Sequence, residues 1–246
     1  MDIDFVIDEN SALEKVRFGS IELIDLDWNA ALHESEAVPL ASASPAVRAH
    51  EILEEVRTWP SSRLEARKKA VRNMLRNGKY TPAGRAKPSS EYLLHAALDG
   101  DFPTVNFFVD QVNLASLRYL YPMSIFDLDK AGWRLGARLG RPSESYIFNA
   151  SGQSIELENL VCICAYSKIS DDSTRAILTD STPIANPVRD SMATKVFDGA
   201  RNAVVVVYAP RNDDGDLHAA LHDVSTWCSR ACRMVRVQFL PHIQGS

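Results

Sequence analysis

The sequence predicts an α+β fold, with a mixed or antiparallel sheet at its core and helices packed around it. The segment RNAVVVVYAP (201–210) is a continuous apolar run rich in β-branched residues, which is typical of a strand at the centre of a sheet. Several other segments repeat apolar residues with the period of an amphipathic helix. Because helices and strands do not alternate steadily, as they would in βαβ units, their order favours α+β over α/β.

The composition is that of a globular protein. The chain has 246 residues, of which 46% are hydrophobic, so it can bury a sizeable core. Its formal net charge of −5 argues against a protein that binds nucleic acid through a basic surface over the whole molecule. The same charge is compatible with a local basic patch. No apolar run approaches a membrane span, and the start MDIDFVIDEN lacks the features of a signal peptide. We therefore expect a cytoplasmic protein without a membrane partner.

The first part of the chain predicts two strands followed by two helices. Residues 1–30 alternate apolar and polar side chains, with a break expected at Gly19, and residues 31–44 are typical of a loop. A helix is expected from Pro45 and stops before Pro60. The next helix is SRLEARKKAVRNML.

The rest of the chain mixes both kinds of element. SSEYLLHAAL, TVNFFVDQVNLASLRYL and DLHAALHDVSTWCSRACRMV predict helices, and FDLDKAG predicts a turn. Residues 143–168 predict a strand, an Asn/Gly turn and a second strand. STPIANPVRDS predicts a loop, and VRVQFL predicts an edge strand.

Positive charge is concentrated in residues 63–87, where nine Lys and Arg residues are opposed only by Glu65. For the helical part, a solvated face is the simpler interpretation. The loop within RNGKYTPAGRAKPSSEYL adds glycines and prolines that fix its backbone, and a serine pair that begins the next helix. This loop predicts a site for an anion.

The motifs of common catalytic sites are absent from the sequence. There is no Gly-rich phosphate loop and no G-x-S-x-G motif. The only local set of metal-ligand types is His218, His222, Cys228 and Cys232, and core thiols beside surface histidines are the better interpretation. We therefore expect neither a metal nor a cofactor.

Polar residues recur in the loops and on one helix face. Each alone is more often a cap or a turn residue than part of a site, and only their combination with the basic loop points to function. The set comprises Asp110, Asn113, Ser124, Asp127, Asn186, Arg189, Asp190 and Lys195.

Five ordered motifs resemble one known family. RNGKYTPAGRAKPSSEYLL, FFVDQVNLASL, PMSIFDLDKAG, PIANPVRDSMATK and RNAVVVVYAP together resemble the B3/B4 domain. This is the editing domain of the phenylalanyl-tRNA synthetase beta subunit, and it also occurs in free-standing proteins. The resemblance covers residues 65–240. It implies a single B3/B4-like domain over residues 1–246, with residues 1–62 as a less recognisable lead.

The resemblance implies an aminoacyl-tRNA deacylase that acts in trans on mischarged tRNA. It favours canavanyl-tRNA(Arg) as the substrate, with tyrosyl-tRNA(Phe) or another misacylated tRNA as the alternative. Hydrolysis of such an activated ester needs a placed water molecule and a stabilised oxyanion but no strong nucleophile, so the missing catalytic motifs are compatible with it. A non-catalytic RNA- or amino-acid-binding module is the alternative from another class.

The same resemblance implies three groups of site residues and one partner. The catalytic group is Asn113, Ser124, Asp127 and Asp190. The substrate-binding group is Glu91, Asp110, Tyr80, Ser89, Ser90 and Asn186. The tRNA-binding group is Arg76, Lys79, Arg85, Lys87, Arg189 and Lys195. We expect a monomer whose partner is tRNA, and we do not expect DNA as a partner. The protein would contact the acceptor stem and the 3′ CCA end of the tRNA, and the bases of that end would stack on Tyr80 or Tyr92.

One departure from the family pattern bears on the mechanism. The position that is histidine in the synthetase-embedded domain is Ser124 here. A hydroxyl or the substrate's own ribose hydroxyl would have to replace that histidine, and this keeps the binding-module alternative open. A cationic aminoacyl side chain would need carboxylates as partners. The candidates are Glu91, Asp110, Asp127 and Asp190.

Overall fold

Two four-stranded sheets form the core of the described part of the molecule, and a short two-stranded hairpin without a buried residue accompanies them. The computed structural model describes residues 3–10, 12–36, 44–166, 178 and 180–240. The strands are β1 (Asp4–Ile7), β2 (Val16–Leu26), β3 (Met123–Asp127), β4 (Arg134–Leu139), β5 (Ser145–Ile147), β6 (Ser154–Glu156), β7 (Val161–Ala165), β8 (Thr182–Ala185), β9 (Ala203–Pro210) and β10 (Cys232–Phe239). The helices are α1 (Trp28–Glu36), α2 (Pro45–Arg57), α3 (Ser61–Leu75), α4 (Ser89–Asp99), α5 (Phe107–Tyr119), α6 (Leu128–Ala131) and α7 (Asp214–Cys228).

The strand pairing confirms the predicted class. The first sheet has the order β1-β4-β7-β8 and the second β10-β2-β9-β3, while β5 and β6 pair with each other. β1 runs parallel to β4, and the other pairs of these strands are antiparallel. The fold is therefore α+β with one mixed and one antiparallel sheet.

Strand β9 is the centre of the second sheet, as its apolar sequence predicted. It pairs with β2 on one side and β3 on the other, and its residues from Ala203 to Ala209 have no exposed surface. Helix α7 packs on this sheet through Leu217, Leu221 and Val224, which belong to the same apolar cluster. Strand β10 lies at the edge of the sheet, also as predicted.

Helices α2, α4 and α5 pack together in a second apolar cluster, which includes Ile52, Leu93 and Leu117. Their starts are set by caps and by proline. Ser44 Oγ accepts a hydrogen bond from the amide of Val47 at the start of α2. No described helix is long and apolar enough to cross a membrane.

Several predicted boundaries were wrong. Helix α5 begins at Phe107 rather than near Thr104, because the Asn106 side chain accepts the amide of Val109 and caps the helix there. The predicted FDLDKAG turn contains the one-turn helix α6, and the predicted STPIANPVRDS loop contains β8.

The N-terminal predictions were also wrong in two places. The predicted break at Gly19 is absent, since β2 is continuous through it, and a Cβ atom there would lie 2.6 Å from Leu221 of α7. The predicted 31–44 loop is helical as far as Glu36, because Asp27 Oδ1 accepts two amides at the start of α1. Residues 37–43 of that prediction lie outside the described residues.

Gly140 provides a test of the packing beside β4. A Cβ atom on Gly140 would lie 1.9 Å from the backbone oxygen of Leu157. Because this atom belongs to the backbone, a change of side-chain rotamer cannot relieve the clash. We expect Gly140→Ala to lower the free energy of unfolding by about 1–3 kcal/mol in urea denaturation. Gly215 in α7 has no atom within 4 Å of an added Cβ, so Gly215→Ala should keep or raise stability. Equal stabilities of the two variants would contradict this packing.

Candidate functional site

A cleft of about 500 Å³ lies between α4, α5, β3 and the segment that follows β8. The structure brings half of the predicted site residues to its walls, namely Arg85, Lys87, Ser89, Asn113, Asn186, Arg189, Asp190 and Lys195. The other half do not line this cleft, namely Arg76, Lys79, Tyr80, Ser90, Glu91, Asp110, Ser124 and Asp127. The functional roles of both groups stay predictions.

Among the described residues that line the cleft, Asp190 is the one carboxylate. Its Oδ2 accepts a hydrogen bond from the amide of Ile125 at 3.3 Å, while its Oδ1 is shielded from solvent and has no hydrogen-bond partner. Burial raises the pKa of Asp190 to about 7, although the Ser124 hydroxyl and the Lys195 ammonium oppose the shift. A carboxylate with a free oxygen and a pKa near neutrality is suited to accept a proton from water.

Asn186 fixes the turn that presents Asp190. Its Oδ1 accepts the amides of Val188 at 2.8 Å and Arg189 at 2.9 Å, and its Nδ2 donates to the Tyr146 hydroxyl at 2.6 Å. The Tyr146 hydroxyl in turn donates to the carbonyl oxygen of Arg189 at 2.6 Å. This closed network fixes the backbone that leads into Asp190.

The start of α4 is attached to the same turn. The amide of Ser89 donates to the carbonyl oxygen of Pro187 at 2.9 Å. Ser89 lines the cleft, and its hydroxyl is shielded from solvent and has no hydrogen-bond partner among the described residues. Asn113 approaches the cleft from α5, where it is only partly buried.

Ser124 lies behind Asp190 rather than on the cleft wall. It is fully buried on β3, and its Oγ lies 3.0 Å from the Tyr208 hydroxyl and 3.4 Å from the carbonyl oxygen of Asn186. Sequence reasoning missed Tyr208, although it is the only hydroxyl side chain in the apolar RNAVVVVYAP run. These contacts make Ser124 and Tyr208 supports of the Asp190 turn.

Cations and aromatic rings share the rim of the cleft. The Arg189 guanidinium carbon lies 4.8 Å from the Phe148 ring centroid and 5.7 Å from that of Tyr92. Tyr92 keeps 46% of its surface exposed. Phe148, next to the β5–β6 hairpin turn, was also missed from the sequence, where no pattern distinguishes it from a packing residue.

Glu91 and Arg76 line a separate groove between α3 and α4. Glu91 accepts both arms of the Arg72 guanidinium, at 2.6 Å and 2.5 Å. This paired hydrogen bond to Glu91 raises the pKa of Arg72. A second cation of α3, Arg67, is buried and pairs with Asp216 of α7. Neither Arg67 nor Arg72 is therefore an unpaired cation.

The remaining predicted residues hold local structure. The Tyr80 hydroxyl donates to the carbonyl oxygen of Ala86 at 2.6 Å and so braces the basic loop, and burial raises its pKa. Asp127 caps α6 by accepting the amides of residues 129 and 130 and pairs with Lys130 at 2.8 Å. Ser90 is buried at the start of α4, and Lys79 is exposed in the loop before it.

Asp110 lies in a second cavity of about 960 Å³, which is lined by Trp28, Phe107 and Trp227 among others. Its Oδ1 accepts the amide of Val105 at 2.8 Å, and burial raises the pKa of Asp110 to about 6. Among the residues that the structure describes, no three His, Cys, Asp or Glu side chains are grouped so that they could hold a metal ion.

Comparison with known proteins identifies the family. The B3/4 domain family model matches residues 79–225, which is more than half of the chain, so the chain belongs to the B3/4 domain family. A crystal structure of an N-terminal fragment of the phenylalanyl-tRNA synthetase beta-subunit from Pyrococcus horikoshii matches at 9% identity and a TM-score of 0.49. The match covers 96% of this chain, which spans 50% of that fragment. No curated protein matches the sequence.

The raised pKa of Asp190 predicts how stability depends on pH. Because the folded protein holds this proton up to about pH 7 and the unfolded chain only to about 3.8, folding stability should fall as pH rises between these values. We expect Asp190→Asn to be more stable than the wild type at pH 8, by up to about 4 kcal/mol, and equally stable at pH 4. Urea denaturation across this range measures the effect.

Asp101 is exposed, so Asp101→Asn is the control for the loss of one negative charge. The free energy of unfolding of this variant should match that of the wild type across the same pH range. A constant difference in stability between Asp190→Asn and the wild type across the same range would show that Asp190 is not buried as described.

Proposed function

We propose that this chain hydrolyses the ester bond that joins an amino acid to the 3′ end of a mischarged tRNA, acting as a separate deacylase. The observation that carries the proposal is Asp190, a shielded carboxylate with a free oxygen in a cleft whose rim is cationic. Membership of the B3/4 domain family supports it, because the sequence motifs that resemble the tRNA-editing domain also supply the cleft residues.

In the proposed reaction, Asp190 acts as the general base. Its carboxylate accepts a proton from a water molecule while the water oxygen attacks the ester carbonyl carbon. The side-chain amide of Asn113 donates to the carbonyl oxygen as negative charge develops there. The bond to the ribose oxygen then breaks, and that oxygen takes the proton from Asp190, which leaves a free amino acid and an uncharged tRNA.

The rim has the chemistry that a single-stranded tRNA end requires. Four cations, Arg85, Lys87, Arg189 and Lys195, line the cleft and would neutralise phosphates. The Tyr92 and Phe148 rings, with the Arg189 guanidinium close to both, offer surfaces on which a base can stack.

The favoured substrate remains canavanyl-tRNA(Arg), on the basis of the motif resemblance, with tyrosyl-tRNA(Phe) as the alternative. Of the four carboxylates available for a cationic side chain, only Asp190 lines the cleft. The oxygen in canavanine makes its guanidine group much less basic than that of arginine, so the group would enter this cleft in its neutral form.

A binding module without catalysis is the second candidate. It is favoured by Ser124, which stands where the family motif has histidine and is occupied in hydrogen bonds behind the cleft. Deacylation assays on canavanyl-tRNA(Arg), tyrosyl-tRNA(Phe) and the correctly charged tRNAs separate the candidates. Unchanged half-lives throughout would exclude the deacylase, and faster loss of tyrosyl-tRNA(Phe) than of canavanyl-tRNA(Arg) would overturn the substrate assignment.

Removal of the proposed base should stop turnover without loss of binding. We expect Asp190→Asn to lower the single-turnover rate by at least about 100-fold, while tRNA affinity changes little. The wild-type rate should rise with pH and level off above about pH 7, since the base must be ionised. Asp101→Asn serves again as the control, and a variant rate close to that of the wild type would remove Asp190 from the reaction.

The rim cations should act through affinity and salt dependence. We expect Arg85→Ala and Lys87→Ala each to weaken tRNA binding and to reduce the slope of log K against log salt by about one. Arg57→Ala is the matched control, because Arg57 is an exposed cation of α2 that does not line the cleft. Wild-type slopes in both rim variants would place the tRNA elsewhere.

A further inference from the structure

The floor of the cleft is apolar. Six of its lining side chains are almost completely buried, namely Leu93, Val112, Met123, Ile125, Val188 and Val196. Asn113 on α5 and Asp190 interrupt this surface with polar groups. A side chain that enters the cleft therefore leaves water and gains mainly apolar contacts.

The charges on the walls are strongly unequal. Within the part of the chain that the structure describes, the cleft is lined by one carboxylate, that of Asp190, and by four cations. The other candidate carboxylates are already bonded outside it: Glu91 to Arg72, Asp127 to Lys130 and the start of α6, and Asp110 to the amide of Val105 in the second cavity. None of these three is available to neutralise a cation inside the cleft.

A permanently charged ammonium or guanidinium group would meet two penalties in this cleft. It would lose its hydration and meet only one carboxylate among the described residues of the cleft, Asp190, which the proposed reaction needs as its base. It would also be repelled by the rim, in a space where low polarity strengthens the repulsion. An uncharged side chain of the same length meets neither penalty.

We propose that this cleft selects aminoacyl groups by charge, so that it accepts uncharged side chains and rejects permanently cationic ones such as lysyl and arginyl groups. This selection rests on the proposed deacylase function and names its substrate class. It would leave correctly charged lysyl- and arginyl-tRNA intact.

Norleucine and lysine test the selection, because they have the same unbranched chain and differ by the terminal ammonium group. The two amino acids are esterified to the same tRNA, and single-turnover hydrolysis is measured at saturating protein. We expect the norleucyl ester to be hydrolysed at least about tenfold faster than the lysyl ester. Equal rates, or a faster lysyl reaction, would overturn charge selection while leaving the deacylase function in place.

Phe197 allows the charge of the cleft to be changed without touching the reacting groups. It lines the cleft and is 47% exposed, so substitution should not prevent folding. Phe197→Glu and Phe197→Gln have nearly the same shape and differ in charge. We expect the ratio of the norleucyl rate to the lysyl rate to be at least about threefold lower in Phe197→Glu than in Phe197→Gln. Equal ratios would contradict the proposal.

Leu98→Glu is the remote control and should leave both rates unchanged, because Leu98 is 49% exposed on α4 and does not line the cleft. If neither ester is hydrolysed, the deacylase function fails. Charge selection is then decided by the binding of the non-hydrolysable 3′-amide analogues, norleucylamino- and lysylamino-adenosine. Tighter binding of the norleucyl analogue would support selection, and equal affinities would overturn it.

Discussion

The hydrogen bonds of Asn186 hold together the parts of the molecule that form the cleft. Its side chain closes the turn after β8 and bonds to Tyr146 on β5, while Pro187 in the same turn accepts the amide that begins α4. The turn also places Asp190 against the amide of Ile125 on β3 of the second sheet. The turn that this buried amide closes thus links both sheets, the hairpin and a helix next to Asp190, whose Oδ1 is shielded from solvent and has no hydrogen-bond partner among the described residues.

Positive charge in this protein is used in two different ways. Within α3, Arg67 and Arg72 are paired with carboxylates of other helices and contribute to packing. In the loop before α4, Arg85 and Lys87 form no ion pair with a described carboxylate and line the cleft instead. A similar division applies to the acids of the predicted site, since Glu91, Asp110 and Asp127 are bonded elsewhere and, of these four described carboxylates, only Asp190 lines the cleft. The resulting imbalance of charge supports both parts of the proposal, a polyanionic partner and an uncharged aminoacyl group.

The sequence predicted the parts of this structure that depend on local pattern. The apolar run of β9 and the periodic helices follow from neighbouring residues alone. Gly19 was misread because the reason for a glycine there lies in Leu221, some 200 positions away in the chain. Glu91 is predicted to bind the substrate, and its pairing with Arg72 on another helix could not be read from the sequence. Asp190 and Asn113 entered the predicted site through motif resemblance, and the sequence could not say that they line one cleft.

The proposed reaction requires the aminoacyl end of the tRNA to lie in the cleft beside Asp190. A crystal structure of the protein bound to norleucylamino-adenosine, the non-hydrolysable 3′-amide analogue, would test it most directly. We expect the amide carbonyl of the analogue next to Asp190 and Asn113, with its adenine beside Arg189 at the rim. An analogue bound in the second cavity beside Asp110, with the cleft empty, would contradict it.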